Sequence, residues 1–192
     1  VDIPEMPVSY FAGRQAEEPS MISRTSVPDF SDRPIAEHER HLRQAIELSR
    51  RARAKGNHPF GALLVGPDGA VLMEAENSVV TGGERTAHAE LNLLRTASAR
   101  HDASFLGRCT LYSSTEPCVM CAAALYWVGI GQLVYGLSKR ELDRIVWGDP
   151  DTSSLKLTCR DVLQSGLRAT DVIGPLLESE ARRAHEDFWP RR

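Results

Sequence analysis

Two short segments constrain this chain more than anything else in it: TAHAEL, Thr86 to Leu91, and TEPCVMC, Thr115 to Cys121. Of its 4 cysteines, two stand three residues apart directly after a proline, and upstream a histidine and a glutamate stand two residues apart. Zinc takes thiolate and imidazole ligands in tetrahedral geometry, and a catalytic site reserves one of the four positions for water. His88, Cys118 and Cys121 supply the other three. Pro117 favours a first helical turn, so Cys118 and Cys121 are expected on one helix face, beside N–H groups whose partial positive charge suits thiolates. Thr86 is placed to cap the upstream helix, with His88 in its first turn.

Glu90 follows His88 by two residues, which on a helix turns it away from the metal ligand. It need not bind zinc. A carboxylate there can take a proton from water acidified by the metal and pass it to a leaving group. Two other readings of the residues stand beside this one. Cys109, Cys159, His101 or His185 would complete four protein ligands in a closed structural site, and Cys118 with Cys121 would serve as a redox pair. Neither accounts for Glu90 or Pro117.

Composition narrows the class. The chain has 192 residues, 42% apolar and 26% charged, values ordinary for a globular protein of one domain. No stretch approaches the roughly 18 apolar residues of a membrane span, so no membrane role is expected. The amino terminus lacks the basic and apolar regions of a secretory signal, which points to the cytoplasm. With 23 basic against 26 acidic side chains the net charge is −3. That offers no broad field for phosphates and disfavours a nucleic-acid partner. The basic run Arg50 to Lys55 ends a helix, where cations suit the dipole.

Residues 1–33 show no sustained period and read as a loosely ordered arm, with a single domain over 34–192. A helix capped by Ser31 or Asp32 is expected through Ile35, Leu42, Ala45, Ile46 and Ala52, closed by Gly56. A hairpin follows around Pro67-Asp68-Gly69. CTLYSS and QLVYGLS read as strands joined by a helix over PCVMCAAALYWVGI, which implies parallel pairing. KRELDRI and CRDVLQSG read as short helices, RATDVI as a fifth strand, and PLLESEARRAHEDFW as a closing helix begun by Pro175.

The paired motifs His-x-Glu and Pro-Cys-x-x-Cys are a signature of zinc-dependent base deaminases. From about Gly56 to about Ser138 the chain resembles the cytidine-deaminase superfamily, in the branch of bacterial guanine deaminases and tRNA adenosine deaminases. HPFGALLV and ALYWVGI are similar to guanine-deaminase segments, while TAHAEL and TEPCVMC are shared by both groups. The resemblance implies a three-layer α/β/α fold with a mixed, mostly five-stranded sheet, one zinc ion per subunit and a homodimer. It implies hydrolytic deamination of an amino-substituted base or nucleoside, guanine-like first, with tRNA adenosine, cytosine, adenine or an amino-triazine as alternatives. Glu90 would be catalytic and His88, Cys118 and Cys121 the metal ligands. Asn77 and the Ala89 N–H would bind the base, and Phe60 and Trp127 would wall its ring. The last third looks more like the tRNA-editing relatives. Phe188 and Trp189 would close the pocket of the same or the partner subunit, or anchor a helix end on the core. His58 reads as a solvent-exposed loop residue, and Met73 and Met120 as core.

Overall fold

The computed structural model describes residues 30, 33–149 and 155–190. Most of the arm expected over 1–33, including Ser31 and Asp32, lies outside them. The first helix, α1 (Ile35–Ala54), starts after Pro34 and buries Leu42, Ala45, Ile46 and Leu48 along one stripe. β1 (Gly61–Val65) and β2 (Val71–Glu76) form the hairpin. A short α2 (Val79–Gly82), α3 (Ala89–Arg100) and a one-turn α4 (Ala103–Leu106) lead to β3 (Thr110–Thr115). α5 (Val119–Val128), β4 (Gln132–Leu137), α6 (Lys139–Trp147), α7 (Cys159–Gln164), β5 (Asp171–Ile173) and α8 (Glu178–Arg182) complete the order.

The sheet runs β2-β1-β3-β4-β5. β1 is antiparallel to β2 and β3, whereas β3, β4 and β5 are parallel. The parallel pairs are those joined by crossover helices, which a hairpin turn cannot replace. Alternation along the strands divides the core in two. Ala62, Leu64, Leu111 and Leu133 pack with α3, α5 and α7. Leu63, Val65, Tyr112 and Val134 pack with α1 and with Ala181 of α8. Three layers result, as the resemblance implies. Gly61 permits the close approach of α1 to the sheet, because a Cβ there would lie 2.5 Å from the Leu48 side chain and from Ala45 O.

Three local expectations are corrected. Thr86 does not cap α3: its N–H and hydroxyl both donate to Glu84 (2.7 and 2.5 Å), which holds it in the preceding turn, and His88 is the N-cap residue. Pro117 lies one residue before the N-cap of α5, which is Cys118. The closing helix does not begin at Pro175. It starts after Leu177, whose φ is 56°, and tightens into a 3-10 turn over Arg183–His185 before Asp187, at φ 55°, turns the chain. Left-handed conformations at two positions break what the apolar spacing suggests is one helix.

Candidate metal centre and active site

Two helix starts converge beyond the β3 end of the sheet. Cys118 follows β3 directly, while His88 is delivered by the loop after β2 and α2. That loop is tied to the hairpin: Ser78 N–H donates to Ala87 O (3.0 Å), and the Asn92 amide donates to Glu76 O and Ser78 Oγ (both 3.0 Å). His88 Nδ1 then lies 3.7 Å from Cys118 Sγ and 3.6 Å from Cys121 Sγ. With metal–sulfur bonds of about 2.3 Å and metal–nitrogen bonds of about 2.0–2.1 Å, tetrahedral ligands stand about 3.6 Å apart. The donor set and its spacing fit zinc.

All three ligand atoms lie within 4.8 Å of one another, and among the described residues no other histidine, cysteine or acid joins them. Cys109, Cys159, His101 and His185, the candidates for a closed site, stand elsewhere. The thiols perturb each other strongly. The Cys121 side chain, opposed by burial and helped by His88, holds Cys118 down at about 4, while Cys118 and burial push Cys121 up. Neither N-cap residue, His88 of α3 nor Cys118 of α5, makes a side-chain cap hydrogen bond, while the Cys121 N–H in the first turn of α5 helps lower the Cys118 pKa.

Glu90 is 5% exposed and accepts a hydrogen bond from Ser113 Oγ at 2.9 Å. Burial first, then the Cys118 charge, raises its pKa. A cation at the three ligands would oppose that rise. Ser113 was missed in the sequence, although its place in the alternation sets it on the same face of β3 as Leu111.

Asn77 is 1% exposed and its Oδ1 accepts from Val79 N–H at 3.1 Å. Its Nδ2 is the one buried side-chain polar atom among the described residues with no hydrogen-bond partner. Leaving such a donor unsatisfied costs about 1–3 kcal/mol. Ala89, fully buried, supplies the first N–H of α3. Phe60 is half-buried against the α3–α5 core and accepts from Asn77 N–H through its carbonyl (3.0 Å).

Trp127 is not brought to this pocket. It is 83% exposed on α5 and meets Tyr126 edge-on, because its helical position faces away from the sheet. The rings gathered around Phe60 and His58 come instead from the carboxyl-terminal segment. Trp189 lies 6.2 Å from Phe60 and 5.5 Å from His58, Phe188 lies 6.2 Å from His58, and His185 lies 5.3 Å from Phe60, all between ring centroids. His58 is therefore half-buried, not a solvent-exposed loop residue, and both burial and the nearby His88 lower its pKa. His185 Nδ1 accepts from Trp189 Nε1 at 3.3 Å, which fixes the ring in this cluster.

Comparison with known proteins agrees with this geometry. A sequence 37% identical over 165 residues, described as a probable cytosine deaminase of Schizosaccharomyces pombe, covers 85% of this chain and 97% of its own length. A guanine deaminase of Bacillus subtilis is 43% identical over 91 residues, 47% of this chain and 58% of that protein. Among solved structures, a guanine deaminase from Nitrosomonas europaea superposes with a TM-score of 0.65 at 29% identity, over 78% of this chain and 82% of that one. The profile of the cytidine and deoxycytidylate deaminase zinc-binding region matches residues 35–137, the span that holds both helix starts. With that match laid over a histidine and two cysteines at tetrahedral spacing, the chain belongs to the cytidine and deoxycytidylate deaminase zinc-binding family and is a hydrolase of C–N bonds in nucleobases.

Proposed function

We propose that the protein hydrolytically deaminates a free, amino-substituted nucleobase, a guanine-like ring first, replacing C–NH2 by C=O and releasing ammonia. His88, Cys118 and Cys121 would hold one zinc ion per subunit. When bound, zinc supplies water that ionises near neutral pH. Glu90, oriented by Ser113, would take one proton from the attacking water and pass it to the ring nitrogen, then take the second from the hydroxyl of the adduct as C=O forms and pass it to the amine, so that the C–N bond breaks and ammonia leaves. Its burial suits a group that must hold and release a proton in a water-poor site. Asn77 Nδ2 donates to a ring acceptor and the Ala89 N–H to a carbonyl or nitrogen. Phe60 and Trp189 cover the faces of the flat ring.

The observation that carries this reading is the buried Asn77 amide, unpartnered and tied through Ser78 to the segment bearing His88. An aromatic base with carbonyl and ring-nitrogen acceptors satisfies it. Residues 34–192 would form one deaminase domain working as a homodimer in the cytoplasm, on a small molecule, not a nucleic acid. A second reading, cytosine, is favoured by one specific fact: the fission-yeast relative described as a probable cytosine deaminase aligns along 97% of its own length.

Ammonia release by the zinc-loaded protein over guanine, 2,6-diaminopurine, cytosine, adenine and an amino-triazine tests the reading. Turnover of guanine or its analogues is expected. Turnover of cytosine alone selects the second reading, inosine formation in a tRNA anticodon hairpin moves the substrate to RNA, and a silent panel sinks the free-base proposal.

A further inference from the structure

Glu116 stands two residues before Cys118, separated from it only by Pro117, and is 9% exposed. A carboxylate so buried needs partners, and it finds them in the other half of the molecule. Its Oε2 accepts the Lys139 N–H at 2.9 Å and its Oε1 the Cys159 N–H at 3.0 Å, while its own N–H donates to Leu137 O at 2.7 Å. Lys139 and Cys159 are the first residues of α6 and α7. Both helices already carry N-caps of their own. Ser138 accepts from Glu141 N–H, and Thr158 forms a capping box with Asp161. Those side chains satisfy the third N–H of each helix and leave the first one open. One carboxylate closes both, at the positive end of two helix dipoles.

We propose that Glu116 is a positioning residue of the metal centre. By gripping two helix starts it fixes the backbone from which Cys118 reaches the cation, and so couples metal retention to the carboxyl-terminal third. Residues that orient metal ligands from behind set affinity as well as geometry, with losses of about 10- to 100-fold on their removal. This inference rests on the zinc reading above.

A useful control on α8 acts at the same start of α6. Glu178 accepts from Ser138 N–H and Oγ (3.0 and 2.5 Å), gripping the start of α6 without touching the segment that carries Cys118. The experiment compares the zinc-loaded wild type, Glu116→Gln and Glu178→Gln in competition with a chromophoric chelator. Thermal unfolding and the thiolate-to-metal absorption of the Co(II)-substituted proteins are measured in parallel. Glu116→Gln is expected to release zinc about 10- to 100-fold more readily and to alter the Co(II) band. Glu178→Gln is expected to lower the melting temperature yet keep zinc within about twofold of wild type. Should Glu116→Gln fail to fold, Glu116→Asp, with its shorter reach, is expected to lose zinc measurably. Retention within twofold by the variant measured, or equal zinc loss in Glu178→Gln, overturns the positioning role. A wild type that binds no zinc overturns the metal reading beneath it, which is a separate failure.

Discussion

Residues 86–121 and residues 139–189 pack against one sheet but carry information in different ways. In the first, the chemistry resides in side chains close together in sequence, His88 with Glu90 and Cys118 with Cys121, each pair placed by a single helix start. In the second, the contributions are two backbone N–H groups, from Lys139 and Cys159, and a set of rings around His185 and Trp189. Backbone donors exist at every helix start, and aromatic residues usually fill cores, so neither advertises a role. The comparison separates a centre built by short-range spacing from surroundings built by tertiary packing. On the proposals above, the former would set the reaction and the latter what reaches it and how firmly the cation is held.

The contrast can be broken from either side. Glu90→Gln removes the proton carrier while leaving its shape, so turnover is expected to fall by about 10³-fold or more with zinc content unchanged, as measured by ammonia release and metal analysis. Loss of zinc along with activity would mean that Glu90 is a ligand. Asn77→Ala removes the unpartnered donor and is expected to lower kcat/KM by about 10- to 100-fold, the worth of one buried hydrogen bond, with zinc again retained. Trp189→Ala tests the far region. If the wall binds the base, KM rises about tenfold and kcat changes less; an unchanged KM would reduce the segment to packing.

A smaller effect belongs to pH. His185 is 1% exposed, and burial, assisted by the Arg53 charge, depresses its pKa to about 4. The unfolded chain, with a histidine near 6.5, takes up a proton that the native state refuses. Stability is therefore complete above about 6.5 and declines as pH falls towards 4, by about 3 kcal/mol from this residue, then levels off. Thermal melts of wild type and His185→Gln between those pH values should show the variant with the shallower slope. Parallel slopes would mean that His185 does not titrate as a buried neutral ring.

Much of the fold was legible because its signals are local. The hairpin turn Pro67-Asp68-Gly69, the apolar run of β1 and the strand–helix–strand order from Thr110 to Leu137 each follow from periodicity and turn chemistry. What escaped depended on local competition for hydrogen bonds, on single backbone conformations or on tertiary packing. Thr86 looks like a cap until Glu84 takes its hydroxyl, and the closing helix looks continuous until Leu177 and Asp187 adopt left-handed backbone. Trp127 and Trp189 show the same limit at the site. Trp127 is offered to the pocket by the resemblance and Trp189 as a residue that closes it or anchors a helix end, but only the turn after the 3-10 segment brings one of them to Phe60. Ser113 was readable in hindsight by strand alternation, whereas the two partners of Glu116 lie 23 and 43 residues away and no pattern marks them.

X-ray absorption at the zinc edge of the loaded protein tests the centre most directly. Two sulfur scatterers at about 2.3 Å and two nitrogen or oxygen scatterers at about 2.0–2.1 Å, with one ion per chain, are expected. Three or four sulfurs, or a shell unchanged when Cys118 or Cys121 is replaced by serine, would contradict the account.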